Sequence, residues 1–212
     1  MNRADLTDEQ YETLLEAIFP VIVEKGPSRM SMDHVASRLG KSKRTLYEIF
    51  DSKDNMIQEV FHHQHAVHKK VFEKIFAQTS NAMEGLAKVI AYQQNVFRML
   101  KPAFFRDMDE RFKHLRPDFD SRYNKMTHHL EKVLELGIKQ GVFRHDIDFQ
   151  LQLTLLSIQM ESLKRMEEKF PPEITLIRAY QGITESFLRS IATPKGLEVL
   201  ETVVLQSPRH SE

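Results

Sequence analysis

Residues 31–50 read SMDHVASRLGKSKRTLYEIF and predict two short helices joined by a tight turn. Ser31 and Ser42 each precede an apolar pattern with helical spacing, so each is predicted to cap a short helix. Gly40 fits the end of the first helix, and the tight turn between the patterns predicts a helix-turn-helix. The inward-facing residues are predicted to be Met32, Val35, Ala36, Leu39, Leu46, Ile49 and Phe50.

The same helical spacing continues along the rest of the chain, which shows no repeat and no alternating strand pattern. We therefore predict an all-α protein of about nine to ten helices. Pro20 lies inside the first helix and predicts a bend near Phe19. The further helices are predicted from Thr7 to Gly26, about Lys53 to Gln78, Asn81 to Leu100, Pro117 to Gln140, Asp146 or Asp148 to about Lys169, Glu173 to Ile191, and over 196–206.

The composition limits the class of protein. The 212 residues carry no net charge, and 28% charged and 41% hydrophobic residues are typical of a soluble globular chain. The absence of cysteine excludes disulfides and cysteine-bound zinc, and it fits a reducing cytoplasm. No segment approaches the roughly 18 apolar residues of a membrane span, and MNRADLTDEQ has no apolar secretory core. We expect a cytoplasmic protein without membrane association.

Signatures of catalysis are missing from the sequence. It has no glycine-rich phosphate loop, no Ser/His/Asp motif context and no duplicated Glu-x-x-His pattern. His62, His65 and His68 recur every third residue, but helical positions six apart diverge, which disfavours a metal site. We expect no enzyme activity, no metal and no cofactor.

Residues 41–47 carry side chains suited to DNA. Lys43, Arg44 and Thr45 occupy the first turn after Ser42, the part of a second helix that faces base edges in helix-turn-helix proteins. The Arg44 guanidinium matches O6 and N7 of guanine. Lys41, Lys43 and Tyr47 can reach phosphates, which position a protein without selecting sequence.

A solvated charged face explains the same residues without DNA. Arg44 and Glu48 stand four positions apart, the spacing of a surface ion pair. Residues 1–60 hold eight Lys and Arg against eleven Asp and Glu, so bulk charge does not favour DNA. Glu48 would repel phosphate unless it accepts from cytosine N4 or pairs with Arg44. Charge alone leaves both interpretations open.

Residues 14–57 resemble the DNA-binding domain of the TetR (tetracycline repressor-like) family of bacterial transcription regulators. The segments that carry the resemblance are VIVEKG (21–26), SMDHVASRLG (31–40), KSKRTLYEIF (41–50) and DSKDNMI (51–57). The resemblance implies a three-helix DNA-binding domain over 1–60, with its motif at about 31–50. It implies a helical ligand-binding and dimerisation domain over 61–212.

The function implied is that of a homodimeric repressor that binds a palindromic double-stranded DNA operator and responds to a small-molecule effector. Arg44, Thr45 and Lys43 would meet bases, and Lys41 stands where the family usually has an apolar residue. The alternatives are a helical interaction module of the same fold that has lost DNA binding and, ranked last, a helical enzyme. The full set of expected DNA contacts is Ser31, Lys41, Ser42, Lys43, Arg44, Thr45, Tyr47, Glu48 and Lys53.

The last two long helices predict a dimer interface. The helix after residue 148 is apolar on several faces and the helix over 173–191 has a broad apolar stripe, so both must be covered. The resemblance implies pairing with a second copy in a four-helix bundle, whereas the alternative is single-chain core. The predicted interface residues are Leu151, Leu155, Ile158, Ile177, Tyr180 and Phe187.

Polar groups within apolar stripes predict a ligand pocket. Gln64 and His68 interrupt the stripe of the fourth helix, and Gln93 interrupts that of the fifth. Binding pockets combine mostly apolar walls with a few placed polar groups. The alternative is that these polar groups are satisfied core residues. The predicted lining is Gln64, His68, Tyr92, Gln93, Phe97, Tyr123 and Met126.

Overall fold

The computed structural model describes residues 3–112, 130–163 and 170–206. Within these ranges the regular elements are helices, and the one isolated β-bridge joins Phe143 and Ala192. The all-α prediction is confirmed. After a 3-10 turn at Arg3–Asp5, the helices are α1 (Asp8–Lys25), α2 (Met32–Arg38), α3 (Lys43–Ile49), α4 (Lys53–Ala77), α5 (Ala82–Met99), α6 (Pro102–Glu110), α7 (130–139), α8 (Phe149–Ser162), α9 (Leu176–Ile191) and α10 (Pro194–Gln206).

Helix α1 begins after Thr7 and ends before Gly26, and both residues explain its length. Thr7 accepts from the Gln10 amide while the Gln10 side chain accepts from the Thr7 amide, a reciprocal capping box. The helix continues through Pro20 to Lys25. Gly26 then adopts a φ of +81°, a conformation that residues with a Cβ rarely take, and the chain turns toward α2.

The predicted caps of the helix-turn-helix are confirmed. Ser31 accepts from the His34 amide at the start of α2, and Ser42 accepts from the Thr45 amide at the start of α3. Between them Gly40 has a φ of +61°. The inward prediction holds for α3, where Leu46, Ile49 and Phe50 are buried against residues of α1 and α2. The orientation of α3 is thus set by its apolar face, which leaves its other face to solvent.

The chain forms two compact units, each with its own core. The first comprises residues 1–71 and 99–116, and the second comprises 72–98 and 117–212. Helix α6 belongs to the first unit, where the Phe104 ring lies 5.8 Å from the Phe61 ring of α4. The functional domains expected at 1–60 and 61–212 stay a prediction.

The core of the second unit joins α5, α7, α9 and α10 around the turn at residues 140–143. Val142 and Phe143 are buried there together with Leu188 and Ile191 of α9. Gly196 of α10 lies so close to this turn that a Cβ would stand 2.1 Å from the Val142 carbonyl oxygen. A side chain at Gly196 would therefore force the turn and α10 apart.

In the second half of the chain, two predicted helices agree with the structure where it describes them, and the start of a third differs. The helix expected over 117–140 is described from residue 130, and the helix expected to reach Lys169 begins at Phe149, after the Asp148 cap. The last long helix begins at Leu176 rather than Glu173, because Thr175 caps it by accepting from the Arg178 amide.

Candidate nucleic-acid interface

The outward face of α3 presents Lys43, Arg44, Tyr47 and Glu48. Ser42, which precedes them, caps the helix, and its hydroxyl oxygen lies 2.8 Å from that of Thr45. Tyr47 is 48% exposed although its neighbour Leu46 is fully buried. Since a large aromatic side chain on an exposed face gains little from folding, Tyr47 suits contact with another molecule.

Lys43 pairs with a carboxylate from the preceding helix. Its ammonium donates to Asp33 Oδ2 of α2 at 2.7 Å. This hydrogen bond raises the pKa of Lys43 above its ordinary value. Sequence reasoning missed Asp33, because ten residues separate the pair and only the packing of α2 against α3 brings them together.

Arg44 and Glu48 form the surface pair that their spacing allowed. Arg44 Nε donates to Glu48 Oε1 at 3.0 Å, and the two side chains are 88% and 34% exposed. The hydrogen bond from Arg44 lowers the pKa of Glu48. Pairing and DNA contact do not exclude each other, because an ion pair this exposed to solvent is weak and can open when DNA binds.

Two further basic residues flank α3. Arg38 is exposed and Lys41 is partly exposed. Among the described residues, no carboxylate lies within ion-pair distance of either. The positive charge of Arg38 and Lys41 is therefore less offset than that of Lys43 and Arg44.

Lys53 lies at the start of α4 and binds within the first unit. Its ammonium donates to the Ser28 carbonyl at 3.1 Å, and burial lowers its pKa. Asp107 of α6 accepts from the Ser28 amide at 2.9 Å, so both backbone groups of Ser28 are held. The sequence singled out Lys53 but not Ser28 or Asp107, since their contacts span 25 and 79 residues.

Ser31 lies beside this turn and caps α2. Its hydroxyl accepts from the His34 amide at 3.2 Å, and its own amide donates to His34 Nδ1 at 3.3 Å. The expected contacts of Ser31 and Lys53 with DNA stay predictions. Any phosphate that Lys53 binds must share its ammonium with Ser28.

The predicted pocket residues fall into different units. Gln64 and His68 lie half-buried on α4 in the first unit, where burial lowers the pKa of His68 and His65 adds to the effect. Tyr92, Gln93 and Phe97 lie on α5 in the second unit. Tyr123 and Met126 lie outside the described residues.

A polar contact inside the second unit joins α5 to α9. The Tyr180 hydroxyl donates to Gln93 Oε1 at 3.0 Å, and the Tyr180 ring stacks on Phe97 with ring centroids 4.0 Å apart. Burial raises the pKa of Tyr180 well above its ordinary value. The structure thus brings Tyr180, which we predicted at the dimer interface, together with two residues that we predicted to line the pocket.

The predicted interface residues differ in exposure. Leu151, Leu155 and Ile158 of α8 share one helix face and are 51%, 44% and 61% exposed. Ile177 is half-buried, whereas Tyr180 and Phe187 lie in the interior of their own chain. The exposed part of the predicted interface is therefore the α8 face formed by Leu151, Leu155 and Ile158.

Within the described part of the chain, no three histidine, aspartate and glutamate side chains gather closely enough to hold a metal ion. None of its helices is both long and apolar enough to cross a membrane.

Comparison with known proteins connects this geometry to a family. Residues 14–60 match the family model of bacterial regulatory proteins of the tetR family. The chain is 25% identical over 142 residues to the HTH-type transcriptional regulator NfxB of Pseudomonas aeruginosa, which covers 64% of this chain and 71% of NfxB. Residues 14–60, which the family model matches, contain α2, α3 and the exposed face of α3.

Solved structures agree on the fold. A TetR-family transcriptional regulator from Agrobacterium tumefaciens has a TM-score of 0.68 at 13% identity, over 88% of this chain and 100% of that chain. The transcriptional regulator FadR of Bacillus subtilis, solved with stearoyl-CoA, has a TM-score of 0.61 at 17% identity, over 85% and 99%. The helix-turn-helix, the family model and the likeness to NfxB agree that residues 14–60 are a DNA-binding domain of the tetR type, and the chain is a transcriptional regulator.

Proposed function

We propose that the protein is a homodimeric repressor that binds a palindromic operator through α3 and leaves it when a small molecule binds. The observation that carries the proposal is α3 itself, whose inward Leu46 and Phe50 orient Arg44 and Tyr47 toward solvent. The family is a class of regulators rather than of enzymes. In this proposal the protein is cytoplasmic and binds its operator there.

The outward side chains suit different parts of a duplex. Arg44 and Thr45 lie in the first turn of α3, where base edges are reached in the major groove. Lys41, Lys43 and Tyr47 would contact phosphates beside it, with Ser31 and Lys53 on the flanks. Contacts with base edges select the DNA sequence. Contacts with phosphates set the position of the protein on the duplex and the salt dependence of binding.

Substitution of Arg44 and Lys41 separates these roles. With a duplex selected from a random library by the wild-type protein, Arg44→Ala is expected to lower discrimination at one base pair per half-site by about 10-fold to 100-fold. Lys41→Ala is expected to weaken binding to the selected and the random duplex equally. It should also reduce the slope of affinity against salt concentration by about one per protomer. Lys41 is the better phosphate probe, since Lys53 also holds Ser28.

The measurement is a gel-shift titration at several salt concentrations. If both variants change the ratio of selected to random affinity equally, the assigned roles of Arg44 and Lys41 are wrong. If the wild-type protein selects no duplex at all, the interaction module without DNA binding becomes the better explanation.

The exposed apolar face of α8 supports the proposed dimer. One α3 makes few contacts, and helix-turn-helix proteins gain affinity by placing two recognition helices about one DNA turn apart. Leu151, Leu155 and Ile158 form the face that a second copy would cover. A symmetric pairing through this face would present two copies of α3 to a palindrome.

The effector site is proposed around Gln93, Phe97 and Tyr180. A phenol and an amide held among apolar side chains offer a ligand one donor and one acceptor in low-dielectric surroundings. FadR, solved with stearoyl-CoA, supports the proposal that this fold accommodates a ligand. Binding would favour a dimer geometry whose α3 helices no longer match two successive grooves.

Replacement of the Tyr180 hydroxyl tests this site. A small-molecule library is screened by thermal shift, and compounds that raise the melting temperature are expected to weaken operator binding. Tyr180→Phe keeps the ring on Phe97 but removes the hydroxyl oxygen, which can accept from a ligand while its O–H donates to Gln93, so affinity for such compounds should fall about 10-fold, as for one lost hydrogen bond.

Tyr11→Phe serves as the matched control. It removes a tyrosine hydroxyl that lies 3.5 Å from Glu59 in the first unit. Equal ligand affinity in wild type and Tyr180→Phe would exclude Tyr180 from the effector site.

A further inference from the structure

Two carboxylates offset two of the four basic residues at 38–44. Asp33 of α2 holds Lys43 at 2.7 Å, and Glu48 of α3 holds Arg44 at 3.0 Å. Both carboxylates are partly exposed beside the side chains expected to touch DNA, so a bound duplex would bring phosphates close to them. The DNA-facing surface thus contains its own negative charge.

These ion pairs should affect binding to DNA of arbitrary sequence more than binding to the operator. Binding to DNA of arbitrary sequence depends almost entirely on cations neutralising phosphates. An Arg44 or Lys43 that is already paired neutralises less, and its carboxylate repels the phosphates. At an operator, base contacts made by Arg44 compensate for the lost pair, because a bidentate guanine contact is worth more than an exposed ion pair.

We propose that Asp33 and Glu48 are specificity-determining residues that act through Lys43 and Arg44, weakening binding to arbitrary DNA more than binding to the operator. This inference rests on the proposed DNA-binding function. It accounts for the net acidity of residues 1–60 in a chain that contacts DNA, because affinity for arbitrary DNA is what such acidity suppresses. Asp33 and Glu48 are positioning residues, since each acts through the base or phosphate contact of its partner.

The test compares full-length wild type, Asp33→Asn and Glu48→Gln on two 30-base-pair duplexes. One duplex has a random sequence, and the other is selected by the wild-type protein from a random library. Freeing one cation to bind a phosphate steepens the salt slope by about 0.9 per protomer, which corresponds to about an eightfold gain per protomer at 0.1 M salt. Each variant is expected to gain that much on the random duplex and less on the selected one, so the specificity ratio falls.

Two controls separate this mechanism from a general change of charge. Glu12→Gln removes one negative charge from an exposed position of α1 that takes part in no ion pair among the described residues. An equal gain on the random duplex in Glu12→Gln would overturn the proposal. The second control repeats Asp33→Asn in a Lys43→Ala protein and Glu48→Gln in an Arg44→Ala protein, where the gain from releasing the cation should disappear and only the smaller gain from lost repulsion should remain.

The outcomes distinguish failure of the inference from failure of the proposed function. A wild-type protein that selects no operator contradicts the DNA-binding proposal itself. A wild-type protein that selects an operator, with unchanged random-duplex affinity in both variants, contradicts this inference alone. If Glu48→Gln weakens only the selected duplex, at a single base pair, then Glu48 accepts from a base and is not a restraint on Arg44. Far-ultraviolet circular dichroism confirms that each variant retains its helices.

Discussion

Substitution of Leu155 and Ile158 by glutamate is expected to produce a monomer that binds the palindromic operator at least 100-fold more weakly than wild type. These side chains are 44% and 61% exposed on α8, so in the proposed dimer four carboxylates would be buried at one interface. Linked half-site binding commonly exceeds single-site binding by 10²–10⁴-fold, roughly the affinity a monomer would lose. Light scattering after size-exclusion chromatography gives the mass, and a gel-shift titration gives the affinity.

The control for this double variant is Gln150→Glu. It adds a charge to an exposed position of the same helix, turned by about 100° from Leu151 around the helix axis. It should remain dimeric and bind the operator as wild type does. A double variant that stays dimeric would exclude the α8 face as the interface. A monomeric double variant with undiminished operator affinity would show that dimerisation does not provide the second half-site contact.

Substitution of Leu46 by alanine is expected to reduce the free energy of unfolding by about 2–5 kcal/mol, the range for a buried leucine that leaves a cavity. Leu46 is fully buried among residues of α1 and α2. A loss of this size is a large share of the roughly 5–15 kcal/mol by which a domain is stable, so α3 should lose its fixed orientation. Urea titration followed by circular dichroism measures the change.

The adjacent residue provides the matched comparison. Tyr47 is 48% exposed, so Tyr47→Ala should change the free energy of unfolding by no more than about 0.5 kcal/mol. It should nevertheless weaken DNA binding, because the proposed phosphate contact is lost. Equal loss of stability in Leu46→Ala and Tyr47→Ala would contradict the inward and outward assignment of this helix.

Several features were predictable because they depend on residues three or four positions apart. The Ser31 and Ser42 caps, the burial of Leu46 and the Arg44–Glu48 pair all arise within one or two helical turns. The resemblance to the TetR family added a predicted function to these local patterns. The match of residues 14–60 to the family model confirms the resemblance. The DNA contacts themselves stay predictions, although the face that would make them is in place.

Other features depend on which helices pack together, and residue spacing does not contain that information. Asp33 meets Lys43 because α2 docks on α3, and Lys53 and Asp107 meet at Ser28 because α4 and α6 reach the same turn. The sequence predicted dimer-interface residues on both α8 and α9. In the structure Tyr180 packs on Phe97 in the same chain, whereas Leu151, Leu155 and Ile158 stay exposed.

The helices, their caps and the inward face of α3 could be predicted from the amino-acid sequence, because hydrogen bonds and apolar spacing within a helix are local. The resemblance to the TetR family was likewise carried by side chains within 14–60. The packing of the helices was needed to show that Asp33 holds Lys43 and that the exposed apolar face belongs to α8. Ion pairing between helices and the burial of a side chain both depend on distances that arise only when distant segments pack together.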